Sequence, residues 1–357
     1  FEPDLSSYKD LGKTLLEILA HENIASREPI YEKYDKQVQG RVSIESGVAD
    51  SGVLTPFNST DYPKEIRKVG IALSTDHNPR YSMISPYWGG VNAVVEAMRN
   101  VASVGATPHA ITDCLCYGNP EKPKQMWEFV EGTRGISDAC NAITLKDNPS
   151  YPTPIIAGNV SFYNESKNGP IPPSPIVSCL GRLKDIDYVL SMDFQSSGSD
   201  ILMVGERKDE LGGSIYYQLL GELGANVPKP DFVEVRSQIF AITDCAEGGL
   251  ILSCHDISDG GIATSIAEMT FRKNIGCLVK IPGDLQDHKI LFSETGGFVI
   301  ETKKENTENV IKVFKAHGLH ASKIGETGGE YIQLNETIKV KVLEARYRWE
   351  NGLREKL

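Results

Sequence analysis

No apolar run in this chain of 357 residues approaches the roughly 18 to 20 that a membrane helix needs, so no membrane span is expected. Cations are in short supply. Lys and Arg number 37 against 48 Asp and Glu, a formal net charge of -11 at pH 7. Gripping phosphates along a nucleic acid takes clustered Lys and Arg, which excludes a nucleic-acid surface. The acidic surplus is spread along the chain, and its plain consequence is solubility. The seven cysteines are scattered, and only Cys114 and Cys116 lie close together. A C-x-C without a second pair or a nearby His pair does not make a zinc site. All seven are read as reduced, mostly buried thiols of a cytoplasmic protein. A P-loop, a G-x-G-x-x-G fingerprint, a kinase signature and a G-x-S-x-G elbow are all missing, which leaves nucleophilic hydrolase chemistry unsupported. No short repeat is visible. The opening residues Phe1-Glu2-Pro3-Asp4-Leu5 carry no signal- or transit-peptide pattern, and a first residue other than Met fits a processed or excised segment.

What is present is an ordinary globular composition, 40% hydrophobic and 24% charged, long for one domain and comfortable for two. Leu11, Leu15, Leu16 and Leu19 predict a short amphipathic helix. A strand is expected over 68–72, ahead of a polar loop. Val91, Val94, Val95, Met98, Val101 and Ala102 fall at helical spacing and predict a helix over 90–106, with Asn92, Glu96 and Arg99 among its polar positions. Strands over 108–115 and 154–162 flank a second helix over 125–143. The run Asn168-Gly169-Pro170-Ile171-Pro172-Pro173-Ser174-Pro175 is the most linker-like piece. It places a boundary between a domain of residues 1–172 and one of residues 173–357. Beyond it, strand patterns (200–204, 250–254, 298–302) alternate with helical ones (213–223, 232–246, 262–271, 310–317), which argues for a second α/β or α+β domain. A charged, helix-prone tail covers 340–357.

Four polar constellations could carry chemistry. The first, Asp76-His77-Asn78-Pro79-Arg80-Tyr81, follows a strand and precedes a helix, where α/β proteins tend to bind ligands. There Arg80 suits a phosphate and Asp76 a magnesium ion; the competing expectation is a turn ahead of Pro79. In the second, Asp113 stands at the end of a buried strand, where a carboxylate is costly unless paired, metal-bound or used, or else caps a helix or meets solvent. In the third, strand alternation puts Asn159 and Ser161 on one face, suited to magnesium, phosphate or hydroxyl groups. Gly158 would let a ligand approach the backbone. A simple solvated strand face would account for the same residues. In the fourth, His255-Asp256-Ile257-Ser258-Asp259-Gly260-Gly261, a Gly pair opens a helix and offers N–H groups to an anion, beside acids able to bring a cation. Capping of that helix by one of the acids is the alternative, and His255 alone is more often structural.

Taken in order, Asp-x-Asn-Pro-Arg-Tyr, Gly-Gly-x-x-Ala-Val-x-Glu-Ala-x-Arg-Asn, Thr-Asp-x5-Asn-Pro-Glu-Lys-Pro, Gly-Asn-Val-Ser-Phe-Tyr-Asn-Glu and His-Asp-x-Ser-Asp-Gly-Gly resemble the second half of small-type phosphoribosylformylglycinamidine synthases. Tyr34-Asp35-x-Gln37-Val38, Leu211-Gly212-Gly213-Ser214 and Leu291-Phe292-Ser293-Glu294 add to the match, which spans nearly the whole chain. That family belongs to the aminoimidazole-ribotide-synthase-like superfamily.

The resemblance implies an α/β (α+β) unit of two domains, whose N-terminal sheet domain pairs with a second half about a pseudo-twofold axis. It implies a carbon–nitrogen ligase of purine biosynthesis, in which ATP activates the amide of formylglycinamide ribonucleotide and ammonia replaces phosphate to give the amidine. The implied cofactors are ATP and Mg2+. The implied partners are the missing N-terminal half, a glutaminase subunit that supplies ammonia and a small bridging subunit. Carried over, Asp113 and Gly158 match ATP contacts, Asn159 a magnesium ligand and Ser161 a substrate contact. Asp76, Arg80, His255, Asp256, Asp259, Gly260 and Gly261 are expected nearer an auxiliary phosphate or nucleotide site. The catalytic histidines and most magnesium carboxylates are expected in the missing half, so this segment alone is expected to be inactive. Cys114, Cys116 and Tyr117 replace the usual Gly, Asn and Phe, His77 stands where Gly is common, and Thr295-Gly296-Gly297 departs from the usual Arg-containing continuation. Two competing expectations are a homodimer resembling aminoimidazole ribotide synthase and a non-catalytic nucleotide-binding assembly module.

Overall fold

The computed structural model describes residues 2, 3 and 10–357. Most of the opening stretch read for targeting signals lies outside the described residues. Among those residues, no helix is long and apolar enough to cross a membrane.

The first sheet has six strands in the order Val42–Ile44, Gly52–Leu54, Gly70–Asp76, Ser174–Leu183, Thr107–Cys116, Ile155–Ser161. Neighbours are antiparallel except the last pair, which is parallel and joined by the long helix Pro123–Ala142. The helix expected over 90–106 begins earlier, at Pro86, because Ser85 caps it and Pro86 fits its first turn. This Pro86–Ser103 helix lies across the inner face of the sheet, where Val94, Val95 and Met98 are wholly buried. Each such side chain contributes about 1.5–3 kcal/mol by leaving water.

The second sheet has seven strands in the order Ser253–Ile257, Gly297–Thr302, Asp200–Val204, Ala321–Thr327, Cys277–Val279, Tyr331–Leu334, Ile338–Lys341. The helices Phe232–Glu247 and Thr307–Ala316 contribute Ile239, Ile242 and Phe314 to the same core as the Pro86–Ser103 helix. That helix is therefore sandwiched, with its own sheet on one side and the second domain on the other. A separate core joins Leu15, Ile18 and Leu19 to Ile262, Ile266 and Phe292 of the second domain.

Two features of the expected organisation are corrected. The Pro-rich run is not an interdomain linker. It leads from a small hairpin (Glu165–Ser166 with Gly169–Pro170) into Ser174–Leu183, which is hydrogen-bonded on both edges in the middle of the first sheet. A boundary after residue 172 would cut that sheet in two, so the first domain extends to Leu183. The helix Leu11–Leu19, in turn, packs with the second domain although it precedes the first in sequence. Smaller differences are local. The helix expected over 213–223 is only Ile215–Leu219, and the strand expected over 250–254 runs from Ser253 to Ile257. All seven cysteines are free.

Candidate functional site

The register of the first sheet aligns residues far apart in sequence. Val177 pairs with Asp76 on one side and with Asp113 on the other, and Asp113 pairs with Gly158. Paired residues point to the same face, so Asp76, Val177, Asp113 and Gly158 form one row on the inner face. Asp76 and Asp113 are two strands apart, about 10 Å at the usual strand spacing. A Cβ at Gly158 would stand 2.4 Å from Asp113 Oδ1, so only glycine leaves that carboxylate where it is. Burial raises the Asp113 carboxyl above its ordinary range.

Asn159 and Ser161 do share a face, as alternation predicts, but it is the opposite one. Asn159 pairs with Cys114, and Ser161 with Cys116. Asn159 is exposed, while the Ser161 hydroxyl lies 3.1 Å from the Asn164 amide nitrogen. The sulfurs of Cys114 and Cys116 lie 3.9 Å apart on this same outer face. Exposed Leu73 and Val160 belong to the same sheet, and the edge strand Ile155–Ser161 is exposed along nearly its whole length.

At the Asp76 end of the row lies a nest of carboxyl groups. Asp76 from the first sheet, Glu96 from the sandwiched helix, and Asp256 and Asp259 from the turn before the helix Gly261–Met269 lie near enough to repel one another. Burial, then repulsion by Asp259 and Asp256, holds Asp76 well above the usual carboxylate range, and burial followed by Asp76 does the same to Glu96. Burial followed by Asp50 pushes Asp256 up to about 7, and burial pushes Asp259 up to about 6. Arg99 is the cation that draws Asp76, Glu96 and Asp256 back down. Asp256 Oδ2 is buried without a hydrogen-bond partner. Carboxylate oxygens short of positive charge are the donors a divalent cation such as Mg2+ takes, and Asn100 donates its amide N–H to Asp76 at 3.5 Å on the rim.

The remaining candidates are committed to the fold. His255 is clamped, with Nδ1 2.8 Å from Asp50 and Nε2 3.0 Å from Glu268. Burial pulls its pKa down, but the two carboxylates outweigh that and hold it well above the ordinary histidine value. A protonated imidazole donates through Nε2 to Glu268, pairs its charge with Asp50 beside Nδ1 and offers no lone pair to a metal, although Asp50, His255 and Asp256 approach within 4.8 Å of one another. The helix opening at Gly260-Gly261 is already filled. The Gly260 N–H donates to Glu294 Oε1 at 2.7 Å, and the Gly261 N–H to the Ser258 carbonyl at 2.9 Å. The anion expected at this N-terminus is the chain's own carboxylate. Neither acid caps the helix; Asp259 accepts from Asn78 Nδ2 at 3.1 Å instead. Arg80 donates to the carbonyls of Gly213 and Glu222, tying the first loop to the second domain.

Sequence patterning missed Glu96, Arg99 and Asn100 as site residues. Glu96 and Arg99 were read as the polar side of an amphipathic helix, yet they are 8% and 3% exposed because the second domain covers that side. The available signal was the acid and the amide four residues apart, which one helical turn brings to the same place.

With that geometry in view, residues 50–183 match the family described as AIR synthase related protein, N-terminal domain, and residues 196–334 match its C-terminal domain. The chain is 44% identical, over 99% of its length, to a phosphoribosylformylglycinamidine synthase subunit PurL of Methanothrix thermoacetophila, and covers 46% of it. It thus spans about half the length of the curated relatives it matches. Among solved structures, Thermotoga maritima PurL complexed with FGAR is similar with a TM-score of 0.73 at 18% identity, covering 96% of this chain and 54% of that one. The same protein complexed with ATP gives a TM-score of 0.65 at 19% identity, over 93% of this chain and 52% of that one. At these identities the structural likeness concerns the fold.

Proposed function

Since the chain belongs to the AIR synthase related family, we propose that it is the C-terminal half of the ATP-dependent ligase that converts formylglycinamide ribonucleotide to its amidine in purine biosynthesis. The observation that carries this is the near-complete alignment with a phosphoribosylformylglycinamidine synthase subunit about twice as long. Ammonia is supplied by a glutaminase subunit, with a small bridging subunit completing a cytoplasmic assembly. A solved complex named PurLQS from Thermotoga maritima supports partners of this kind.

In this reading Asp113 and Gly158, from the inner face, and Asn159 and Ser161, from the outer face, reach the reacting nucleotide and substrate site around the exposed edge strand, where the other half completes it. The outer face, where Leu73 is exposed, and the bare edge strand that carries exposed Val160 support pairing with that half, since an unpaired edge invites a cover. The carboxyl nest holds the magnesium of an auxiliary nucleotide. Bound Mg-ATP supplies the phosphoryl group and the charge that neutralises it. The nest carboxyls would hold the cation in their ionised form, Arg99 would balance the remaining charge, and Gly158 keeps room beside the Asp113 carboxylate.

The test is turnover of formylglycinamide ribonucleotide with ATP, magnesium and ammonia, by this chain alone and with the N-terminal half added. Activity only on reconstitution supports the half-enzyme. Activity of the chain by itself would refute it and favour a homodimer that completes its own site.

A further inference from the structure

Cys114 and Cys116 are used neither by the inner row nor by the carboxyl nest. They stand two residues apart on the strand Thr107–Cys116, so both side chains leave one face of it, and Asp113 and Leu115 take the inner face instead. Their sulfurs are 3.9 Å apart. The other five thiols are buried, whereas these two are partly exposed. The thiols within reach of solvent are therefore each other's neighbours.

The pair is poorly placed to close on itself. Two residues along an extended strand set their Cα atoms about 6.7 Å apart, at the far limit of disulfide geometry. Ionising both thiols is unfavourable too, because burial and then the neighbouring Cys114 raise the Cys116 thiol above its ordinary value. A cation between the sulfurs meets both difficulties. It needs no sulfur–sulfur bond, and its charge offsets that of two thiolates. The spacing fits, since two sulfurs bound at about 2.3 Å to one tetrahedral ion stand about 3.8 Å apart.

The surroundings leave such an ion open to solvent. The Ser174 hydroxyl donates to the Pro172 carbonyl, and the Ser161 hydroxyl is engaged with Asn164. Asn159, paired with Cys114 on the next strand, is exposed and makes no side-chain hydrogen bond among the described residues. Its amide oxygen and water are what remain for the other coordination positions. Two sulfurs fall short of the closed four-ligand set of a structural zinc, so folding would not depend on the ion. Thiolate ligands also select soft cations over Mg2+.

We propose that Cys114 and Cys116 chelate a thiophilic cation with a filled d shell, such as Cd2+, Zn2+ or Cu+, in an open two-sulfur site on the outer face of the first sheet. Two S–H bonds give way to two metal–sulfur bonds, both protons go to solvent, and no oxidation state changes. The nest, by contrast, offers oxygen ligands and lies at the inner face.

Titration of the reduced full chain with Cd2+, followed by the ultraviolet charge-transfer absorption of cadmium–thiolate bonds, tests this. About one ion per chain should bind saturably in excess Mg2+, with release of protons. Cys114→Ser and Cys116→Ser should each weaken binding about tenfold or more, and the double variant should lose the absorption. Asp76→Asn should keep it, which separates this site from the nest. Should the serine variants fail to fold, the parent decides: bound Cd2+ should protect Cys114 and Cys116 together from alkylation, mapped by mass spectrometry. Absence of a saturable absorption, its survival in the folded double variant, or lack of protection at either cysteine would overturn the site. Displacement of Cd2+ by Mg2+ would overturn it as well, by pointing to oxygen ligands.

Discussion

Replacing Glu294 by alanine removes the acceptor that holds three elements together. Its carboxyl is 2% exposed and accepts from the N–H groups of Gly260 (2.7 Å) and Ile215 (2.9 Å), while the Tyr81 hydroxyl bonds its other oxygen. Those donors come from the helix Gly261–Met269, the helix Ile215–Leu219 and the first domain's loop. Each buried donor left unsatisfied costs about 1–3 kcal/mol. Water entering the cavity recovers part of that, leaving a loss of about 3–6 kcal/mol. At roughly 2–4 °C per kcal/mol for domains of this size, the melting temperature falls by on the order of 10 °C. Glu294→Gln behaves differently. Burial followed by Asp259 pushes the Glu294 carboxyl up to about 8, so near neutral pH it is largely protonated, and a glutamine reproduces its shape, its oxygen accepting from the two N–H groups while its NH2 donates to the Tyr81 oxygen in place of the carboxyl O–H. A group whose pKa is raised on folding adds stability that is complete below its unfolded value and is lost as pH climbs through its folded value. For Glu294 that window runs from the ordinary 4.5 to about 8. Glutamine has no such window, so its stability relative to the parent should improve steadily as pH rises. Melting followed by circular dichroism across this range measures both effects. A Glu294→Ala variant within about 1 kcal/mol of the parent, or a glutamine as damaging as alanine at low pH, refutes the reasoning.

The same sign governs the nest. Asp259 and Asp256, raised to about 6 and about 7, make the metal-free protein lose stability as pH rises through those values. Magnesium binds the ionised groups, so its stabilising increment in melting temperature should grow over the same interval and shrink in Asp76→Asn; an increment independent of pH would remove the nest as the binding site. On the edge strand, Gly158→Ala drives a methyl into Asp113 and should weaken nucleotide binding in the reconstituted enzyme, with Asn159→Ala doing so at no cost in stability because its side chain is exposed. Nucleotide titration and thermal melting of the two variants check this, and unchanged affinity in both would detach the strand from the nucleotide site.

Local patterns made much of the fold legible. The apolar stripe of the Pro86–Ser103 helix, the buried Thr107–Cys116 strand and the strand–helix succession after residue 200 follow from periodicity that tertiary packing reinforces. Asp76, Asp256 and Asp259 were also legible as candidates, because acids at strand ends ahead of Pro or Gly are unusual enough to single out. What periodicity cannot encode is a second layer of protein. A helix with one apolar stripe reads as half-exposed, and nothing local announces that another domain covers Glu96 and Arg99. The same gap explains Gly260-Gly261, where the free N–H groups of the helix are satisfied by Glu294, which lies 34 residues away in the chain.

The Pro-rich run before Ser174 shows why composition misplaced the boundary and why that matters for the site. Proline and serine lower the helical and strand propensity of 168–175, which reads as a break, yet the next ten residues supply the one strand that touches both Asp76 and Asp113 through Val177. Chain order separates these two aspartates into different motifs, and the alternation of each strand says only that each faces inward. Their alignment is a property of register, set by two sets of hydrogen bonds to a strand that arrives about sixty residues after Asp113 in the chain. A slip of one residue on either side of Ser174–Leu183 would turn one carboxylate to the outer face, so the site depends on the register of a strand that contributes no chemical group to it.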